Sequence, residues 1–237
     1  MVGETIVHIV HVIIGLGVGG AELMLKRLIE GLDEKNMEHS VISLTDIGTV
    51  GEQLIDIGIN VKSLSMHTPL LIPITFCKLR AELKSLNPDI VQTWMYHGDF
   101  LGGLAARTLG IKNIIWNVRN TYLKGNGVGN YIFRRLCGIL SFFVPKEIIY
   151  VSHSAQKEHL RSGFNPNNVN VIGNGFDTKK YSFSQEYRIK NRDLMNLSTD
   201  DIAVFSVGRY VPAKDHWTFI QAICKAREVN TKVKGVL

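Results

Sequence analysis

Ile6-Val7-His8-Ile9-Val10-His11-Val12-Ile13-Ile14-Gly15-Leu16-Gly17-Val18-Gly19-Gly20-Ala21-Glu22 is the stretch that decides how this chain folds. A run of β-branched residues stops at glycines 15, 17 and 20, which satisfy G-x-G-x-x-G. From Ala21 to Leu32 the period changes: Ala21, Met24, Leu25, Leu28, Ile29 and Leu32 make one apolar stripe, while Glu22, Lys26 and Glu30 line the other side. Strand, glycine turn and helix in that order open a βαβ unit. Glycine lets the backbone approach a phosphate, and the helix N-terminus offers free N–H groups and the positive end of a dipole. An anion site at this turn is the expectation; glycines serving only a tight turn and strand–helix packing are the alternative.

The alternation continues along the chain. Strands are expected at Ile6 to Ile14, His39 to Thr45, Asn60 to Met66, Asp89 to Trp94, Asn113 to Val118, Glu147 to Ser152 and Asn168 to Ile172, with helices between them. That pattern predicts an α/β fold with a parallel sheet covered on both faces. Asn87-Pro88 should end a helix, because the residue before proline is pushed out of the α region. Residues 1–177 make one domain on this reading. The polar, strand-free residues 178–201 are read as a linker. A strand from Ile202 to Val207, a turn around Pro212, a helix from His216 to Val229 and a strand from Lys232 to Leu237 then begin a second Rossmann-like domain over 202–237. One βαβ unit cannot cover both faces of its own sheet, so this second domain is expected to be truncated.

Composition narrows the function. Hydrophobic residues are 45% of the 237 and charged ones 20%, which excludes disorder and collagen-like structure. Cys77, Cys137 and Cys224 form no CxxC pair, against a disulfide framework or a thiolate zinc site and in favour of a reducing cytosol. The opening residues lack a basic segment and Ile6 to Ile14 is too short to span a bilayer, so a cytoplasmic location is expected. The sequon at Asn196-Leu197-Ser198 carries no weight in that compartment. A formal charge of +6 favours anionic partners, phosphates or an acidic lipid surface. The basic residues come in scattered pairs, Lys26-Arg27, Arg134-Arg135 and Lys179-Lys180, which argues against nucleic acid. His8 and His11 differ in parity along a strand and cannot share a metal, and there is no H-E-x-x-H or G-x-S-x-G; no metal site is expected.

Five motifs occur in order: Gly19-Gly20-Ala21-Glu22; Asp89-Ile90-Val91-Gln92-Thr93-Trp94 running into His97; Val151-Ser152; Asn174-Gly175-Phe176-Asp177; and Gly208-Arg209-Tyr210-Val211-Pro212-Ala213-Lys214. Together they resemble family 4 of the retaining GT-B glycosyltransferases, over nearly the whole chain. The resemblance implies a GT-B fold and a nucleotide-diphosphate sugar as donor. It implies that Arg209 and Lys214 grip the diphosphate, with Gly19 and Gly20 at the donor phosphates. His97 would contact the transferred sugar, and Glu22 and Arg119 would lie on the acceptor side. Two cations at a strand end suit a leaving pyrophosphate, whose growing charge they neutralise. The resemblance further implies transfer with retention, without metal or other cofactor, to a glycan or lipid-linked acceptor in cell-surface polysaccharide or lipopolysaccharide synthesis. Asp215 stands where the family commonly has glycine. The family's pair of donor-holding glutamates has no counterpart before residue 237, so the chain is expected to be a fragment with negligible turnover alone.

Local chemistry leaves several readings open. His97 follows a strand at the carboxyl edge of the sheet, where open α/β folds bind ligands. Asp99 is expected to cap a helix from Phe100 to Arg107. Arg119 either meets an anionic acceptor or phosphate, or is an exposed arginine. Tyr131 to Val144 is read as a helix packed on the sheet with Arg134 and Arg135 reaching water; a helix lying on an acidic membrane, in a peripherally bound protein, is the alternative. Other function classes are a nucleotide- or phosphate-binding module without chemistry, and an NAD-dependent oxidoreductase. The latter needs an acid at the end of the second strand, and Asp46 fits that spacing only loosely.

Overall fold

The structure, a computed structural model, describes residues 6–32, 36–121, 127–208 and 210–237. Two units divide the chain, Met1–Gly175 and Phe176–Leu237. In the first, seven parallel strands stand in the order β3-β2-β1-β4-β5-β6-β7. They are β1 (Val7–Ile13), β2 (Met37–Ser43), β3 (Asn60–Ser63), β4 (Ile90–Trp94), β5 (Ile114–Val118), β6 (Glu147–Tyr150) and β7 (Val169–Val171). Every strand expected here from the sequence is present, mostly shorter by a residue or two because the ladder ends before the apolar run does. The chain lays β2 and β3 on one side of β1, then returns to place β4 on the other. The strand order therefore reverses between β1 and β4, and open α/β sheets bind ligands at the carboxyl edge of such a reversal.

Alternation along β1 explains the two layers of core. Val10 and Val12 join Ile42, Leu79, Val91 and Trp116 in one cluster, and Ile13 joins Leu25, Ile29, Val41, Leu54 and Trp94 in the other. Helices α1 (Gly20–Glu30) and α2 (Gly48–Asp56) supply the second cluster, α1 through Met24, Leu25 and Ile29. Helix α3 (Ile72–Leu86) supplies Leu79 and Leu83 to the first. It ends as expected at Asn87, although by a different route: Asn87 turns left-handed (φ 44°) and its N–H caps Leu83 O at 3.1 Å. Asparagine tolerates that conformation, and Pro88 then prevents the helix from continuing.

After β4 the chain makes one α turn, α4 (Met95–His97), a π turn (Gly98–Gly102) and α5 (Gly103–Thr108). The helix thus begins five residues before the expected start at Phe100. Three glycines allow this. A Cβ on Gly98 would stand 2.7 Å from Val12 O, one on Gly102 2.9 Å from Val12 Cγ1, and one on Gly103 2.8 Å from Trp116 Nε1. Helix α6 (Gly127–Leu140) precedes β6, and α7 (His153–Arg161) follows it with Ser152 as its N-cap.

In the second unit, β8 (Ile202–Phe205) and β9 (Val233–Val236) pair in parallel, Ile202 opposite Val233. Residues 178–201, read as a linker, carry α8 (Gln185–Leu194), whose N-cap Ser184 accepts from Tyr187 N. Helix α9 (His216–Val229) lies close to β9, where a Cβ on Gly235 would meet Ile223 at 2.9 Å.

Candidate active site

Ile13 and Trp94 are register partners at the ends of β1 and β4, and Trp94 is in turn opposite Asn117. Three loops therefore leave the sheet side by side: the glycine turn, the turn into α4, and the segment of Arg119. The sequence-derived residues Gly19, Gly20, Glu22, His97 and Arg119 gather on this one edge.

The glycine turn is held at its base and open at its tip. Thr45 Oγ1 donates to Ile14 O at 2.7 Å and Val50 N to Leu16 O at 2.9 Å, while a Cβ on Gly15 would lie 2.8 Å from Thr45 Oγ1. At Gly17 and Gly20 nothing lies within 4 Å of such a Cβ. Gly19 is the N-cap of α1 and, lacking a side chain, leaves the first turn without a side-chain cap. Open space beside uncapped N–H groups is what an anion needs. Glu22 complicates it: a Cβ on Gly19 would collide with the Glu22 carboxylate, so that carboxylate already sits by the positive end of the helix. An arriving phosphate binds against its charge unless Glu22 swings away. The exposed Asp46 places Oδ1 3.2 Å from a Cβ on Gly15.

His97 is half-buried, its ring 4.8 Å from that of Phe133. Burial pushes its pKa down, so it is neutral at pH 7 and can both give and take a hydrogen bond. It follows Met95, whose φ of 64° is strained for a residue with a side chain. Two buried groups fix this turn: sequence reasoning missed Tyr96 and gave Asp99 a different role. Tyr96 bonds His159 Nε2 on α7. Asp99 is fully buried and accepts from Thr93 Oγ1 at 2.6 Å, while its Oδ2 has no hydrogen-bond partner among the described residues. Burial pushes the Asp99 pKa up to about 8. Asp99 is therefore no helix cap: it lies inside the π turn and ties it to the sheet.

Arg119 is half-buried rather than exposed. Its guanidinium donates to Ile172 O at 2.8 Å and lies 5.6 Å above the Trp94 ring. Beneath it the indole of Trp94 donates to His11 Nδ1 at 3.4 Å, so neutral His11 keeps its proton on Nε2 and donates to His39 Nδ1 at 3.1 Å. Nothing in the sequence marks this column, because its members come from four separate strands or strand ends. His8, on the other face, bonds Leu86 O and Ser40 Oγ. No group of three or more His, Cys, Asp or Glu among the described residues could hold a metal ion.

Of the two cations expected at the diphosphate, Arg209 lies outside the described residues. Lys214 ends a 3-10 turn (Pro212–Lys214) in the second unit, exposed, its stem 3.2 Å from a Cβ on Gly208. Asp215 answers the departure from glycine: it takes the left-handed conformation (φ 48°) that glycine favours and caps α9 by accepting from Thr218 N.

Comparison with known proteins gives the class. The profile of Glycosyltransferase Family 4 matches residues 18–180, more than half of the chain, and the chain belongs to that family. No curated protein matches it. Among solved structures it is similar to Anabaena Alr3699/HepE in complex with UDP-glucose, with TM-score 0.80 and 18% identity over 96% of this chain and 59% of that one. A glycosyltransferase from Rickettsia africae ESF-5 gives 0.66 and 15% over 94% and 58%. UDP-N-acetylglucosamine 2-epimerase from Rickettsia bellii gives 0.59 and 15% over 98% and 69%. These likenesses establish the GT-B fold. The chain spans about three fifths of the length of the first two.

Proposed function

We propose that the chain serves a glycosyltransferase that moves a sugar, with retention of anomeric configuration, from a nucleotide-diphosphate sugar to a glycan or lipid-linked acceptor in cell-surface polysaccharide or lipopolysaccharide synthesis. Family membership supports the reaction class. The observation that carries the site is the open, uncapped glycine turn standing one register pair, Ile13 and Trp94, from the turn that presents His97. The Anabaena relative is described in complex with UDP-glucose, which supports the same class of donor here.

Bond breaking places negative charge on the leaving diphosphate. Arg209 and Lys214 would neutralise it as it grows, in a reaction that needs no metal or other cofactor. Gly20 has the room for the donor to approach α1. A neutral His97 would bind a sugar hydroxyl without adding a charge of its own. Glu22 and Arg119 would face the acceptor, in an enzyme working on the cytoplasmic side of the membrane.

Calorimetric titration with UDP-, GDP- and ADP-sugars and with NAD tests this reading. Binding of a nucleotide sugar that Gly20→Trp abolishes and Arg209→Ala with Lys214→Ala weakens is expected. Tight binding of NAD, or full affinity for the sugar nucleotide in the double variant, overturns it.

A further inference from the structure

Among the described residues, Arg119 meets neutral partners only. Its guanidinium donates to Ile172 O, just after β7, and lies over the Trp94 indole. It makes no ion pair with any described residue, and its Nε is buried without a hydrogen-bond partner. Burial alone lowers its pKa, whereas a carboxylate close by would raise it. A guanidinium carries five N–H donors, so one carbonyl and one ring leave most of its charge uncompensated. Uncompensated charge in a half-buried place is costly to a folded chain, and it is a mark of sites that a ligand completes.

The cation is also held in one place. The Trp94 ring beneath it is fully buried and is fixed by its bond to His11, itself fully buried and stacked on His39 at 5.3 Å between ring centroids. His39, His11 and Trp94 thus set the position of a ring face, and attraction between that face and the guanidinium sets the position of the charge. A planar fork held by a ring and one carbonyl keeps its remaining N–H groups fixed in direction. Such a fork grips two oxygens of a phosphate or a carboxylate.

We propose that Arg119, held over Trp94, seats an oxyanion, phosphate or carboxylate, carried by the acceptor. Trp94 is a positioning residue in this seat, since it acts through Arg119 and is itself closed to solvent. The acceptor is the carrier because the donor diphosphate already has Arg209 and Lys214, and in that respect the proposal rests on the functional reading. It narrows the acceptor to an acidic glycan or one joined through phosphate.

Thermal melts and the Trp94 indole N–H signal in NMR test it, with methyl phosphate, methyl glucuronide and neutral methyl glucoside at one ionic strength. The anions should raise the melting temperature and shift the Trp94 signal, and the glucoside should do neither. A stronger response to methyl phosphate assigns the seat to a phosphate-linked acceptor, and a stronger response to the glucuronide assigns it to an acidic glycan. Arg119→Gln should bind either anion about tenfold more weakly, with circular dichroism unchanged. Arg119→Lys, which keeps the charge and loses the fork, should fall between the two. Trp94→Leu should weaken binding as Arg119→Gln does, and Trp94→Phe, which restores a ring under the guanidinium, should recover part of it. No response to either anion, or an equal response in Arg119→Gln, overturns the proposal. So does loss of the response when UDP is added, since a donor phosphate would then be the occupant. Nucleotide enters only in that last arm, so failure of the anion response is separate from failure of the donor titration.

Discussion

Tyr96 donates its hydroxyl proton to His159 Nε2 across 2.6 Å, and so ties the turn that presents His97 to α7. The direction follows from the other nitrogen: His159 Nδ1 donates to Ala155 O at 2.7 Å, which leaves Nε2 as acceptor. Both residues are buried. Tyr96→Phe leaves the imidazole without its donor, and we expect a loss of about 1–3 kcal/mol in urea unfolding. A loss below a few tenths would show that the bond contributes nothing.

Acid should destabilise the first unit. Burial lowers the pKa of His11 to about 3 and lowers that of His159, whereas an unfolded imidazole titrates near 6.5. Each is therefore neutral when folded and takes a proton on unfolding. Their stabilisation is complete above about pH 6.5 and is lost as pH falls towards the folded values. The urea midpoint should fall steadily from about pH 7 to about pH 4, with a shallower slope in His159→Gln.

Asp99 works in the opposite direction. Its carboxyl is raised to about 8 from 3.8, so the folded chain holds a proton that the unfolded chain releases. Its contribution is complete below pH 3.8 and is lost as pH rises through about 8. Asp99→Asn keeps an acceptor for Thr93 and removes the titration. The variant should gain on the wild type between neutral pH and about pH 9, in thermal melts read at both. A constant difference across that range would exclude an ionising Asp99.

The glycines divide by what their missing Cβ would touch. Gly98→Ala drives a methyl into Val12 O, a backbone atom that cannot turn aside. We expect a cost of about 1–3 kcal/mol, more than the gain from alanine's helix propensity. Gly19→Ala meets only the end of the Glu22 side chain, and Gly20→Ala meets nothing. Both should melt within a few degrees of the wild type, and Glu22→Ala should erase the small cost of Gly19→Ala.

Most of the fold was legible because its signals are local: β-branched runs, the stripe of α1, and Asn87-Pro88. Helix α8 was missed because its residues carry no apolar stripe; its one signal was Ser184 three residues ahead of Tyr187. The start of α4 was missed because Gly98, Gly102 and Gly103 argue against a helix until the neighbouring strand is known to press on it. His97, Arg119 and the glycine turn were named by their place after strands, and the structure brings them to one edge of the sheet. Asp99 in its buried role, Tyr96 and the column of His39, His11 and Trp94 were not, since their meaning lies in contacts between residues far apart in sequence. The face of α6 shows the converse. Its apolar residues were plain in the sequence, but whether they faced the sheet or the solvent was a question of packing.

The central place of β1 has a cost in time. Its second neighbour is β4, and the contact from His8 to Asp89 joins residues 81 apart. A strand rich in β-branched residues must therefore wait with one edge open while β2, β3 and α3 are synthesised. Contacts of such separation slow folding, and an apolar edge left open invites pairing with the wrong chain. Recovery of this protein from dilution out of denaturant should therefore depend on its concentration and improve with a chaperone that shields the nascent strand, even though the finished sheet buries β1 on both sides.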